Sequence, residues 1–229
     1  MYGKFLVEGD KPVRELLKSN FKVDTIYKVQ NTNYETRNRE TEVIDTSEAE
    51  LKKISTHENP NLSIAVAQIP TGHSSNLVQP EGLYIVCDSL NDPGNAGSII
   101  RIADWFGIQK IFFSEHSVEV YNPKTVSAAK GSLFRVECVY TDLKNLFEQN
   151  KNMKVFGTFM KGNSVYTSVL DKNGFILIGN EATGISDELI PFVNEKISIP
   201  SFGKAESLNA AVAAGIVVSE FRRQLTIGH

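Results

Sequence analysis

Three short segments of the 229-residue chain hold side chains whose types and spacing suit chemistry on a polar, charged ligand. The first runs Asp88-Ser-Leu-Asn-Asp-Pro-Gly-Asn95-Ala-Gly-Ser-Ile-Ile-Arg101, between the strand-like LYIVCD and the apolar-periodic IIRIADWFGI. Residues 91–94 are turn formers, which places Asn95 as the cap of a helix. Residues three or four apart share a helix face, so Arg101 projects with Ser98 or Gly97 from the first turns. A helix N-terminus facing strand ends suits an anion; the plain alternative is a capped helix with a surface Arg. Gly94 and Gly97 lack the third glycine of a dinucleotide fingerprint, and Glu115 is a weak substitute for its acidic residue. A nucleotide-dependent oxidoreductase is therefore not expected.

In the second segment, LIGNEATGIS, a buried strand breaks at Gly179 into a loop, and a helix is expected near Ser186. A residue without a Cβ at Gly179 lets a ligand approach the backbone, and Glu181 at a strand end can bond a hydroxyl or amide. A tight turn with a solvated Glu is the alternative. The third, Ile199-Pro-Ser-Phe-Gly-Lys-Ala-Glu-Ser207-Leu208-Asn209, ends one strand and opens the last helix. Glu206 or Ser207 is the expected cap, with Asn209 inside the first turn and turned to a specific partner.

The elements that must position these residues fall into two modules. Residues 1–69 alternate FLVEG, KPVRELLKS, KVDTIYKV, SEAELKKI and LSIAVAQI, a small α/β unit with a polar loop at 30–42. Residues 70–82, PTGHSSNLVQPEG, read as a linker. Beyond it LYIVCD, KIFF, VECVY, KVFGTF, GFILIG and KISIP are continuous apolar runs alternating with helical patterns, as strands covered on both faces would be. A long amphipathic helix closes the chain at residues 206–224.

Composition narrows the function classes. A hydrophobic fraction of 41% with 22% charged residues is that of a chain able to bury a core. No apolar run approaches the ~20 residues of a membrane span, and MYGKFLVEGD lacks the basic and apolar regions of a secretory signal, so a cytoplasmic location is expected. Cys87 and Cys138 lie in strand-like runs, and His57, His73, His116 and His229 are scattered, so no metal is expected. The net charge of −3 is mildly against nucleic acid; splitting at residue 79 leaves 10 basic and 11 acidic residues before and 14 and 16 after. Any grip on a polyanion must come from local patches or from two subunits together.

NDPGNAGSIIRIADWFG, LIGNEATGIS and IPSFGKAESLNAAVAAGI, in this order, resemble the three signature motifs of the SpoU (TrmH-like) RNA 2′-O-ribose methyltransferases of the SPOUT superfamily. FLVEGDKPVRELL is similar to the small L30e-like substrate-binding domain of that family, so the resemblance spans essentially the whole chain. It implies an α/β fold in which residues 1–78 form the L30e-like domain with its linker and residues 79–229 a SPOUT α/β-knot, trefoil-knotted around a mainly parallel sheet. The implied cofactor is S-adenosyl-L-methionine and the implied partners are RNA, ribosomal in preference to transfer RNA, and a second copy of the chain. A transfer-RNA 2′-O-methyltransferase and a non-catalytic RNA-binding member are the alternatives. By motif position, Asn95, Arg101, Glu181, Ser207 and Asn209 are the implied catalytic and substrate-binding residues. Gly179, Ile199 and Leu208, with Gly157, Thr158, Asn180 and Pro200 as neighbours, are implied at the cofactor, largely through backbone contacts. The family's assignment makes the first-motif Arg the base. An Arg side chain is effectively always protonated, so the expectation here is that Arg101 binds the adjacent phosphate and stabilises the developing alkoxide while Asn95, Glu181 and Asn209 align the substrate. Two departures from the family pattern concern RNA recognition: the small module begins almost at Met1, without a basic leading helix, and NPNLSIAVA lacks a Gly after its Pro.

Overall fold

The computed structural model describes residues 3–30, 32–36, 40–56, 62–71 and 78–227. Parts of the polar loop and of the linker, together with His57, His73, His229 and the NPN segment, lie outside the described residues. In the small module β1 (Lys4–Glu8), β2 (Val23–Val29), β3 (Glu42–Thr46) and β4 (Ser63–Gln68) form a sheet in the order β1-β4-β2-β3. β4 pairs antiparallel with both β1 and β2, and β3 pairs parallel with β2. Strand alternation turns Phe5 and Val7 of β1 inward. Val23 and Ile26 of β2 are both buried although three apart, because the ladder slips one residue between Val23 and Thr25. Val13 and Leu16 of α1 (Asp10–Lys18) share a helix face against this sheet. α2 (Glu48–Ile54) is closed by a capping box in which Ser47 and Glu50 bond reciprocally.

The larger sheet is entirely parallel, in the order β10-β8-β9-β5-β6-β7. Its strands are β5 (Leu83–Cys87), β6 (Lys110–Phe113), β7 (Glu137–Tyr140), β8 (Val155–Ser164), β9 (Gly174–Ile178) and β10 (Glu195–Ser198). Every residue of β5 and β9 is buried, which is why both read as unbroken apolar runs. Leu83, Ile85 and Cys87 face one core, shared with α3 (Pro93–Trp105), α4 (Pro123–Ala129) and α6 (Ala210–Ile227). Tyr84 and Val86 face the other, with Leu146 and Phe147 of α5 (Leu143–Gln149). Burial pushes the Cys87 and Cys138 thiols well up, the behaviour of structural cysteines.

The first of these cores continues into the small module. Phe5 stacks against Tyr121 with ring centroids 4.8 Å apart, and Phe21 meets Phe134 at 5.6 Å. Above this apolar contact Arg135 bonds Asp104 of α3 and Glu15 of α1 at once. The two sheets are thus held in fixed relation by packing and by an ion triplet.

β8 runs past the expected KVFGTF to Ser164, its second half paired irregularly with the edge strand β10. The extra residues, MKGNS, are mostly polar and exposed, and Asn163 and Ser164 pair with β10. None of the described helices is long and apolar enough to cross a membrane.

Candidate functional site

The three motif segments leave the C-terminal ends of β5, β9 and β10. From β5 the chain winds to β6 and β7 on one side, then crosses to β8 on the other, so the strand order reverses beside β5 and β9. Loops diverge at such a point and open a crevice for ligands.

Asp92, not Asn95, caps α3: its carboxylate accepts the Asn95 N–H at 2.7 Å, and Pro93 occupies the first helical position. Asn95 is thereby carried into the first turn, only 7% exposed, and turned sideways out of the helix toward the neighbouring loops. Its Nδ2 donates to Glu181 Oε1 at 2.8 Å, and its Oδ1 accepts from Asn209 Nδ2 at 2.7 Å. One amide therefore ties the three motifs together. Asn209 is the cap of α6 rather than a residue of its first turn, since its Oδ1 accepts the N–H groups of Ala211 at 2.9 Å and Val212 at 3.2 Å. Backbone N–H groups only donate, so they fix which end of the Asn209 amide is oxygen. That choice fixes the Asn95 amide in turn and leaves Glu181 as the acceptor at the end of the chain.

Glu181 and Asn209 stand at the surface with Asn95 beneath them. Long contacts of 3.5 and 3.4 Å also reach Glu181 from the Asn91 and Asp92 N–H groups, so the carboxylate sits over the opening of α3. Arg101 lies two turns further along α3, exposed and outside this network, and it faces a cleft between α3, α4 and the turn from β1 to α1. Gly97 does not project with it. A Cβ there would stand 2.5 Å from Thr125 O, so Gly97 is where α3 and α4 touch. Ser207 is exposed and makes no side-chain hydrogen bond among the described residues; neither it nor Glu206 caps α6.

The residues expected at the cofactor divide by role. Gly179 makes room for the chain itself: a Cβ would lie 2.2 Å from the carbonyl carbon of Gly184. The loop closes there because Asn180 and Gly184 exchange main-chain hydrogen bonds at 2.9 Å. No helix begins at Ser186; the segment turns and makes a short 3₁₀ stretch at Ile190–Phe192. Asp88, buried after β5, ties this segment to the first motif: its Oδ2 takes the Ser186 N–H at 2.8 Å. The Asn180 side chain spans two motifs, donating to Ser89 O at 2.6 Å and accepting the Ala182 and Thr183 N–H groups at 2.8 and 3.1 Å. Thr158, next to the buried Gly157, bonds Leu177 O at 3.0 Å and pins β8 to β9. Ile199 and Pro200 are half-buried where β10 ends, and Leu208 is half-exposed at the far end of the same loop.

That loop differs from the rest of the crevice. Residues 201–209 are all exposed, Phe202 almost completely at 99%. Among the described residues, the main-chain groups of 200–208 make no hydrogen bond to other main-chain groups. Free backbone donors and acceptors are obligatory bonding groups. In the second-motif loop, among the described residues, the Ser186 hydroxyl is also buried with no partner. Asp88, Asp92 and the main-chain closure at Gly184 carry no sequence pattern beyond ordinary turn chemistry.

A profile described as the SpoU rRNA Methylase family matches residues 82–219, and one described as the MRM3-like substrate binding domain matches residues 1–65. The chain is 31% identical over 223 residues, 95% of its length and 88% of the relative's, to the 23S rRNA (guanosine(2553)-2′-O)-methyltransferase RlmP of Bacillus subtilis. It superposes with a TM-score of 0.86 at 32% identity on a putative RNA methyltransferase of the TrmH family from Porphyromonas gingivalis, covering 97% of this chain and 90% of that one. The SpoU methyltransferase AviRb of Streptomyces viridochromogenes, in complex with AdoMet, matches with the same TM-score of 0.86 at 29% identity over 99% of this chain and 92% of that one.

Proposed function

We propose, because the chain belongs to the SpoU rRNA methylase family, that it methylates a ribose 2′-hydroxyl of ribosomal RNA with S-adenosyl-L-methionine as the donor. The observation that carries this reading is the chain of bonds Asn209–Asn95–Glu181, which joins the three strand-end loops at one point of the crevice. S-adenosylmethionine fits the adjoining loop, where among the described residues the main-chain groups of 200–208 make no hydrogen bond to other main-chain groups and Leu208 and Phe202 offer apolar cover; the unpartnered Ser186 hydroxyl of the second-motif loop is a further free group. When bound, it supplies a methyl group on a sulfonium, a leaving group that needs no metal. Gly179, Asn180, Gly157, Thr158, Ile199, Pro200 and Leu208 would hold it.

A ribose hydroxyl is a poor nucleophile until its proton is removed or its developing charge is stabilised; the O–C bond would form as the C–S bond breaks, the thioether leaving neutral and the hydroxyl proton passing to water. Arg101, a permanent cation on a rigid helix, binds the adjacent phosphate and favours negative charge on the oxygen. Asn95, Glu181 and Asn209 hold the ribose in line, and Ser207 lies on the same loop to bond the substrate. The reading extends to a homodimer and a cytoplasmic location. Exposed Phe202, Val212 and Trp105 on or beside α3 and α6 support the dimer, as a contiguous partner would cover them. It extends also to the trefoil knot, since the chain leaves β10 at the sheet edge and returns as α6 to pack on α3 and β9.

The test is transfer of labelled methyl groups to unmodified 23S rRNA transcripts, followed by alkaline hydrolysis, which cannot cleave next to a methylated 2′-oxygen. Label in alkali-resistant dinucleotides of the rRNA is the expected result. Label only in transfer RNA transcripts would reassign the substrate, and RNA binding without label in either would make the chain a non-catalytic member.

A further inference from the structure

Arg101 is exposed, but within a cleft and not on an open face. It lines a cleft of about 820 Å³ whose opposite wall is the turn from β1 to α1 in the small module. Lys11 stands on that wall and Lys130 at the end of α4 on the other, both exposed. Beside Lys130 lies a second hollow of about 570 Å³ that shares Pro123, Ser127 and Lys130 with the first and adds Lys124 and Thr56. Two open, adjoining hollows outline a track along the surface, the form that a polymer needs.

The charges along this track are sorted. Among the described residues Lys11, Arg101, Lys124 and Lys130 make no salt bridge. The acids of the same wall are engaged. Glu8 accepts the Ser55 hydroxyl at 2.5 Å and the Thr56 N–H and hydroxyl at 2.9 and 2.6 Å. Asp10 accepts from Arg14 at 2.9 Å and from Tyr34 at 2.9 Å, and the Arg14 guanidinium holds its carboxyl below the usual carboxylate range. Lys130 also sits in the left-handed region, at φ 51 and ψ 39, where glycine or asparagine would be the unstrained choice. The Lys130 side chain therefore stands at the mouth of the cleft at some cost in backbone strain. The two modules that form the banks are bridged by Arg135, which bonds Glu15 at 2.8 Å and Asp104 at 2.7 Å.

We propose that this interdomain track binds the RNA strand flanking the reacting ribose, with Lys11 and Lys130 each neutralising one phosphate beyond the phosphate held by Arg101. The proposal rests on the reading of the substrate as RNA and deepens it. The small module contributes one bank of a channel built by both modules, which explains how a chain of net charge −3 grips a polyanion. Because the triplet at Arg135 bridges the two banks, the spacing of the two phosphate sites is preset before RNA arrives.

Binding of an unmodified 23S rRNA transcript, measured across salt concentration, tests this without requiring catalysis. Lys130→Gly relieves the left-handed residue and so keeps or raises the melting temperature, and Lys11→Ala lies on an exposed helix position. Lys172→Ala, beside the N-terminal end of β9 and away from the crevice, is the control. Removing the cation from one phosphate lowers the slope of log K against log salt by about 0.7–0.9. The double variant should therefore lose about 1.4–1.8 of slope and bind roughly 25–60-fold more weakly at about 0.1 M salt, converging on the wild type near 1 M. Methylation by that variant should show a raised KM with kcat nearly unchanged. A slope and affinity equal to those of Lys172→Ala, or a wild-type protein that binds no RNA, would overturn the track. A reduced slope in the double variant, when the wild type methylates nothing, would instead uphold the track and remove the methyltransferase reading.

Discussion

The two halves of the crevice are built on opposite rules. Around Asn95 the polar side chains bond one another and the chain: Asp92 and Asn209 close helix ends, Asn180 and Asp88 cross between loops, and Asn95 bonds both neighbours. Around Arg101, Ser207 and residues 200–208 the polar groups point to solvent without intramolecular partners among the described residues. In the first half the chain has already ordered itself, and alignment costs nothing further when a substrate arrives. In the second half the bonding capacity is left for ligands. A side chain's value for stability and its value for turnover should therefore separate along this line.

Arg101→Ala should divide the two most sharply. We expect kcat/KM to fall about 10²–10³-fold, the cost of losing one charge-stabilising donor, with the melting temperature within a degree or so of wild type. An equal loss at every pH in Arg101→Lys would support the charge and fork geometry, whereas near-normal activity with a shifted pH profile would restore the Arg as base. Gly179→Ala probes the ordered half. Its Cβ has no space beside Gly184, so the loop must move, with stability falling about 2–3 kcal/mol and calorimetric titration showing weaker S-adenosylmethionine binding.

Asn95→Ala should lower both quantities, stability by about 1–3 kcal/mol from the unmet partners and activity through misalignment. At this chain length that is ~2–12 °C of melting temperature. Loss of activity with unchanged melting would place Asn95 with Arg101 and break the comparison. Arg135→Ala should have the smallest effect, up to about 1 kcal/mol near neutral pH, because the triplet is half-exposed. Its pH dependence is the sharper readout. The Arg135 bond holds the Asp104 carboxyl below its ordinary range. The stabilisation is therefore complete above about pH 4, the unfolded value, and is lost as pH falls through the depressed folded value. The gap between wild type and variant in thermal melts should shrink below about pH 4; a gap that widens would mean that Asp104 is not the partner that matters.

Much of the fold was legible because burial on both faces writes itself into composition. β5 and β9 are five-residue apolar runs with no polar interruption, and no amphipathic reading competes with them. The helix starts were misread for a local reason. Asp92, Asn95, Ser207 and Asn209 are all competent caps, and the sequence pattern does not say which of them another loop will claim. Asn95 is claimed by Glu181, 86 residues away, and by Asn209, 114 residues away, so the cap falls to Asp92. Gly179 carries the same ambiguity: a missing Cβ signals close approach, and only the structure shows that the backbone of Gly184 is what approaches it.

Residue type and order by themselves determined the strands, the three chemical segments and the identity of the groups able to bond a ribose or a cofactor, because these follow from hydropathy period and side-chain inventory. Only the tertiary structure decided that one buried amide joins three loops, that Arg101 looks into a channel shared with the small module, and that among the described residues its lysines make no salt bridge while its acids are occupied. Those facts depend on which surfaces meet across two sheets, and meetings of that range leave no local trace in the chain.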